Sequence, residues 1–507
     1  MKLKKIIAAL LALVLVLGMF SGCGQKDTPA PEAAPEAAPE AAPEAAPETE
    51  PKEEPITLIW KLGPAQPMNY ENVTAAINEI LLEELNVQVQ FDFSRGDYGS
   101  EMNLAMTAGD PWDLCWTANW GGNIYLDKAR AGAYLQLDDY LETYAPDIMA
   151  TIPEAYWKAI QVDGGTYAMF NYQINSNAMG VAFSREWIDA AGIAIPESCT
   201  WEEFDALLAE IKAAYPDSYP LKTVCANPCD YFVDTQDYFT ITGSNTAFMY
   251  YNAETLTYDW DFFMNDEWRQ AMQYAYNWAE AGYIPEDALT LEETDDLWQE
   301  GVILGEFQRY TPTTKYTSYR GQDIPYVIQI APATLGASGL QSTLTAINAK
   351  SEHPEKAIEL FNYVFSHPEV ANLLFYGIEG QDYEMLEDGT IRTTENCWSH
   401  WPWACGNTFI GYVMEGQPAD INDITLAFDQ TAISDPLFGF VFDPTTIEAE
   451  YAAFQTAMSD YWSLITQGQL SDIDGTLAEM HAKAEAAGAQ IVEDEVNRQI
   501  QEWLAAQ

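Results

Sequence analysis

The chain has 507 residues, 48% hydrophobic and 13% aromatic, enough to bury more than one ordinary core. Its formal net charge is −56, and beyond residue 55 there remain 17 basic against 69 acidic side chains, a net of −52. Such a field repels nucleic acid and anionic headgroups and makes anionic ligands poor candidates, so neutral or cationic solutes remain.

Lys2, Lys4 and Lys5 precede an uncharged run from Ile6 to Phe20, closed by Ser21-Gly22-Cys23. A basic start, a short apolar centre and small residues before a cut site describe a secretory signal over residues 1–22. The run falls short of the roughly 20 residues that span a bilayer as a helix. Phe20-Ser21-Gly22-Cys23 resembles the bacterial lipobox, in which the cysteine receives lipid and becomes the mature N-terminus. A plain cleaved signal and an uncleaved anchor are the alternatives. From Glu32 to Glu48 the sequence repeats Glu-Ala-Ala-Pro, and proline at every fourth position removes donors and clashes with the preceding turn. Residues 23–55 therefore read as a lipidated cysteine followed by an extended, self-repelling spacer. Fully extended, it reaches on the order of 100 Å. The expected place of work is the outer face of the cell membrane, held by lipid alone.

Beyond the spacer, Ile56–Leu62 reads as a strand ended by Gly63-Pro64. A helix follows from Asn69 or Asn72, with Val73, Ile77, Ile80, Leu81 and Leu85 on one face. Val87, Val89, Phe91 and Phe93 alternate as a second strand; a helix over Ser100–Ala108 and a strand over Trp112–Thr117 complete the alternation. This order argues a parallel sheet covered by helices, with ligands beyond the carboxyl ends of its strands. The loops 63–66, 94–96 and 118–121 meet there. Further helical patterns lie at Asp138–Met149, Trp201–Ala214, Glu267–Ala281, Pro354–Phe365 and Leu477–Leu504. Strand-like runs lie at Thr166–Gln173, Met179–Phe183, Tyr326–Ile330 and Leu344–Asn348.

Six cysteines follow Cys23: Cys115, Cys199, Cys225, Cys229, Cys397 and Cys405. In an exported chain Cys225/Cys229 and Cys397/Cys405 can close small loops, and free thiols are the equal alternative. No Cys-x-x-Cys pair and no histidine cluster supports zinc. The four histidines form no H-E-x-x-H pair, and no nucleophile elbow or phosphate-binding loop occurs. No metal or cofactor is expected, and any ATPase is a separate chain.

Gly132–Asp139 followed by Tyr144-Ala-Pro146 resembles the segment after the third strand of solute-binding proteins. Thr345–Ser351 with His353–Ile358 resembles their return crossing into the first lobe. Tyr376-Gly-Ile-Glu-Gly-Gln-Asp-Tyr-Glu384 and Gly439-Phe-Val-Phe-Asp-Pro444 resemble the lipoprotein branch of extracellular solute-binding proteins whose C-terminal region is catalogued as DUF3502. The resemblance implies a type II periplasmic-binding-protein-like α/β fold, with two lobes, a hinge and an interlobe ligand cleft. By analogy, residues 56–180 and 341–385 form one lobe, and 181–340 and 386–507 the other. It also implies a monomer that captures a neutral small solute, commonly an oligosaccharide, for the permease subunits of an ABC importer. A surface-anchored glycan-processing enzyme or lectin-like adhesin is the alternative.

Sugar recognition needs flat apolar faces for the C–H side of a pyranose and a few converging polar groups for its hydroxyls. Trp116, Asn119 and Trp120 lie at the end of the third strand, and Asn171, Tyr172 and Gln173 where the first crossover begins. Trp398, Trp401 and Trp403 cluster with His400 in a Gly- and Pro-punctuated stretch. Glu306 can accept hydroxyls or pair with Arg309, and Glu379 reads as a hinge or loop-ordering carboxylate.

Overall fold

The computed structural model describes residues 54–506, apart from 177, 223–237, 243–247, 289–290, 292–294, 321–323, 396, 399–400, 467 and 469. The expected signal, Cys23, nearly all of the expected spacer, Cys225, Cys229 and His400 lie outside the described residues. Eight strands build the two main sheets: β1 (Ile56–Ala65), β2 (Val87–Ser94), β3 (Leu114–Thr117), β4 (Ala168–Phe170), β5 (Ala178–Phe183), β6 (Gly305–Tyr310), β7 (Tyr326–Gln329) and β8 (Leu344–Ile347).

The first sheet has the order β2-β1-β3-β8-β4. β1 runs parallel to β2 and β3, with Trp60 opposite Phe91 and Leu114. β8 lies antiparallel between β3 and β4. The expected parallel sheet is therefore mixed, because β8 returns from the second lobe and enters from the opposite end. Along β2, Val87, Val89, Phe91 and Phe93 are buried while Gln88, Gln90 and Asp92 are more open. Helix α1 (Tyr70–Glu84) buries Val73, Ile77 and Leu81, the four-residue spacing of one helical face. Helix α2 (Tyr98–Ala108) starts where the Asp97 carboxylate accepts the Gly99 and Ser100 N–H groups.

The second sheet, β6-β5-β7, is wholly antiparallel, with Val181 opposite both Phe307 and Ile328. Around it pack α3 (Trp201–Ala214) and α4 (Asp266–Glu280). A reciprocal capping box between Thr200 and Glu203 starts α3, a device that stabilises by about 1 kcal/mol. Later in the chain come α5 (Pro354–Ser366), α6 (Ile421–Thr431), α7 (Glu448–Thr466), α8 (Ile473–Ala486) and α9 (Ala489–Ala506). The single helix expected over Leu477–Leu504 is thus two, parted at Ala487-Gly488, although Leu477, Met480, Ala484, Val492, Val496 and Ile500 are all buried. Likewise, Pro146 splits the segment expected over Asp138–Met149 into the short helices Leu141–Tyr144 and Pro146–Thr151.

Two separate cores define the lobes. The first joins Leu58–Tyr172 with Leu335–Phe375 and with Trp398, Ala404 and Cys405. The second joins Met179–Ala331 with Leu437–Ile500. The expected switch to the second lobe at residue 386 is therefore early, because Trp398 and Cys405 still pack in the first core. A strap that turns over residues 436–439 joins the two cores. Phe438 and Val441 pack on the first, while Leu437, Phe440 and Phe442 are buried in the second. Cys115, Cys199 and Cys397 are free thiols, so Cys397 and Cys405 close no loop. Among the described residues no helix is long and apolar enough to cross a membrane.

Candidate functional site

β3 delivers Trp116 to the carboxyl end of the parallel strands, and several polar contacts fix the backbone there. The Tyr98 hydroxyl and Asn123 Nδ2 both donate to the Trp116 carbonyl at 2.8 Å, and the Thr117 hydroxyl donates to the Asn123 carbonyl at 2.7 Å. The Trp116 indole N–H donates to Thr343 Oγ1 at 2.9 Å. Three further indoles surround this buried ring. Trp120, Trp401 and Trp403 stand edge-on to it, with centroids 5.2, 6.2 and 6.0 Å away. Trp401 and Trp403 stack on each other at 4.9 Å with planes only 13° apart. Edge-to-face and stacked contacts are the arrangements favoured by the ring quadrupole. Gly63, near the end of β1, makes room for them: a Cβ there would lie 3.1 Å from both Trp116 and Trp401.

Trp116 is 2% exposed, but Trp120 is 46% and Trp401 37% exposed. Full burial of a large apolar side chain stabilises by roughly 1.5–3 kcal/mol, so folding alone gives no reason to leave two indoles in water. A flat aromatic platform over a buried ring is suited to stacking against the apolar face of a sugar. The Trp120 N–H is already bonded to the Ser342 carbonyl at 2.8 Å, which holds its ring against the segment that leads into β8, the second crossover between the lobes.

The other expected contacts divide. Asn119 is half-buried and its amide donates to Ser338, at 2.9 Å to the carbonyl and 3.0 Å to the hydroxyl, beside the platform. Gln173 is also half-buried and lends its carbonyl to Asn175 Nδ2. Asn171, 1% exposed, exchanges bonds with Thr343 and Thr345 and turns no group outward. Tyr172 is buried, 4.9 Å from Phe409 and stacked on Phe365, and burial pushes its phenol up to about 12. Trp398 is core rather than platform. Its indole N–H reaches the Leu374 carbonyl at 2.8 Å and its ring packs edge-on to Phe93.

Glu306 is saturated by Arg320 at 2.7 Å, Lys222 at 3.2 Å and the Tyr319 hydroxyl at 2.9 Å. Its partner is not Arg309, which binds the Ser176 carbonyl at 2.7 Å and whose burial lowers its pKa. Glu379 is exposed, and the loop-ordering carboxylate is instead Asp382, which accepts from Ile378 N and Trp398 N, both at 2.9 Å.

The first crossover is pinned from α6. Asp429, 2% exposed, accepts the Asn175 N–H at 2.9 Å and the Ser176 N–H at 2.8 Å. Neither Asp429 nor Thr343 stands in a motif, so no local signal in the sequence marks them. Among the described residues no group of His, Cys, Asp and Glu is arranged to hold a metal.

Residues 69–371 match the model of the bacterial extracellular solute-binding protein family, and residues 436–505 match a domain of unknown function, DUF3502. A carbohydrate ABC transporter substrate-binding protein of Streptococcus pneumoniae serotype 4 is 24% identical over 464 residues, 89% of this chain and 91% of that protein. The polygalacturonan/rhamnogalacturonan-binding protein YtcQ of Bacillus subtilis is 21% identical, over 59% of this chain and 61% of its own length. Among solved structures, the N-glycan transport solute binding protein NgtS of Streptococcus pneumoniae superposes with a TM-score of 0.78 at 22% identity, covering 89% of this chain and 99% of that one. Its complex with Man1GlcNAc gives 0.70 over the same shares. The family match spans more than half the chain and the two cores reproduce the lobes of this fold: the chain belongs to the bacterial extracellular solute-binding proteins, in the branch that carries a DUF3502 region.

Proposed function

We propose that this protein captures a neutral oligosaccharide on the platform of Trp120, Trp401 and Trp403 and hands it to the permease subunits of an ABC importer. In this reading Asn119 and Gln173 serve the sugar hydroxyls, and lipid on Cys23 keeps the receptor near the importer. The single observation that carries it is the exposed indole cluster at the carboxyl ends of the parallel strands. The relatives support the cargo class: one is named for carbohydrate transport and another is solved with Man1GlcNAc.

Charge favours a neutral glycan over a uronate. Of the 17 basic residues beyond the spacer, 11 lie within ion-pair distance of a carboxylate of this chain, leaving few cations for an anionic sugar.

Residues 54–507, titrated calorimetrically with neutral manno- and gluco-oligosaccharides and with oligouronates, are expected to bind at least one neutral glycan and release no product. At a hundredfold excess over Kd the bound form gains about 2.7 kcal/mol, read as a rise in Tm. Hydrolysis of any glycan, or binding of uronates alone, overturns the reading. For the anchor, Cys23→Ser in the full chain moves the protein from the membrane fraction to the medium, and continued membrane retention overturns lipidation.

A further inference from the structure

Thr343 stands on the second crossover, one residue before β8, and is 2% exposed. Its hydroxyl accepts the Trp116 indole N–H at 2.9 Å and the Asn171 amide N–H at 3.0 Å, and donates to the Trp403 carbonyl at 3.0 Å. A threonine hydroxyl has one donor and two acceptor lone pairs, so all its capacity is used. These three partners come from the end of β3, from the first crossover and from the loop that carries Trp401 and Trp403. The adjoining Ser342 carbonyl holds the Trp120 indole N–H at 2.8 Å.

We infer that Thr343 is the positioning residue of the solute site: its hydroxyl sets the tilt of the Trp116 ring and the place of the Trp403 backbone. It does so without touching solute. The inference rests on the aromatic-platform reading above. Trp116 contacts Trp120, Trp401 and Trp403 edge-on, so a change in its tilt reaches every exposed face of the platform. An apolar side chain of the same shape leaves two buried N–H groups and one carbonyl without partners, and an indole that has lost its acceptor turns to find another. The same node fastens the platform to both crossovers, so platform and hinge are held in one frame.

The test compares residues 54–507 as wild type, Thr343→Val and Thr343→Ser, at a temperature well below every unfolding transition. Near-ultraviolet circular dichroism reads the packing of the tryptophan cluster, and calorimetry reads affinity for a glycan that the wild type binds. Thr343→Val is expected to alter the tryptophan bands and to bind about tenfold more weakly. Thr343→Ser, which keeps the hydroxyl, is expected to restore both. Val181→Ala, a cavity in the second core, lowers Tm and leaves affinity intact, which separates positioning from plain destabilisation. Unchanged bands and unchanged affinity in Thr343→Val overturn the inference, as does a serine variant no better than valine. If the wild type binds no glycan, the solute reading falls, and the tryptophan bands of the valine variant still decide whether Thr343 positions the cluster.

Discussion

Four tryptophans from two stretches of chain meet at the platform, and a fifth from the same loop does not. Trp398 and Trp401 are three positions apart, yet one is 3% and the other 37% exposed. The difference is a partner: Trp398 finds the Leu374 carbonyl for its N–H and the Phe93 edge for its ring, whereas the Trp401 ring leans on Gly63 and on the indoles of Trp116 and Trp403. Glu306 shows the same sorting among carboxylates, since one half-buried glutamate pairs with both Arg320 and Lys222.

The two residues therefore predict opposite phenotypes. Trp401→Ala is expected to weaken glycan binding about tenfold with little change in Tm, because a platform side chain contributes to the complex more than to the fold. Glu306→Gln is expected to cost about 2 kcal/mol in urea unfolding, since it takes the carboxylate from Lys222 and leaves Arg320 with Asp295 alone, at 2.8 Å, and to leave affinity unchanged. Loss of affinity in Glu306→Gln at unchanged stability would return that residue to the site. The platform was legible because its residues lie at a strand end and in a Gly- and Pro-broken loop. Thr343 was not, because its partners lie 227, 172 and 60 positions away.

At the scale of elements, periodicity located several helices and strands to within a few residues, as with Trp201–Ala214 and Val87–Ser94, and passed over others, among them Gly305–Tyr310, Ile421–Thr431 and Glu448–Thr466. It failed where the apolar stripe continues across a break. Residues on both sides of Gly488 face the same core, so the stripe reads as one helix although the backbone turns between α8 and α9. The strap around Gly439 is a different case: residues 436–439 turn, the Phe440 N–H donating to the Leu437 carbonyl at 2.9 Å, and neighbouring side chains enter different cores. Gly439 sits at φ 92°, and a Cβ there would lie 2.8 Å from the Lys158 carbonyl. Gly439→Ala is expected to destabilise by about 2 kcal/mol, through both the left-handed backbone and the clash. Calorimetric unfolding checks it, and a Tm equal to that of the wild type would show that the strap does not constrain the lobes.

For the whole molecule, charge is the dominant feature, and a net of −56 destabilises any compact state through self-repulsion. Raising ionic strength from about 0.01 to 0.15 M shortens the screening length from about 30 to about 8 Å, so Tm is expected to rise by a few degrees. A flat or falling Tm would mean that screening of the surface ion pairs outweighs relief of repulsion.

The sequence by itself determined the signal-like start and acidic spacer, the sign of the field and the local periods of the elements. All of these are properties of composition or of neighbours within one or two turns of backbone. The two-lobe fold was reached from motifs that resemble a family, not from periodicity. Only the tertiary structure decided that the first sheet is mixed, that the first core extends past residue 385, and which indoles stay in water. Those outcomes depend on which distant group supplies a hydrogen-bond acceptor or fills a ring's edge, and chain packing sets that over separations no local pattern reaches.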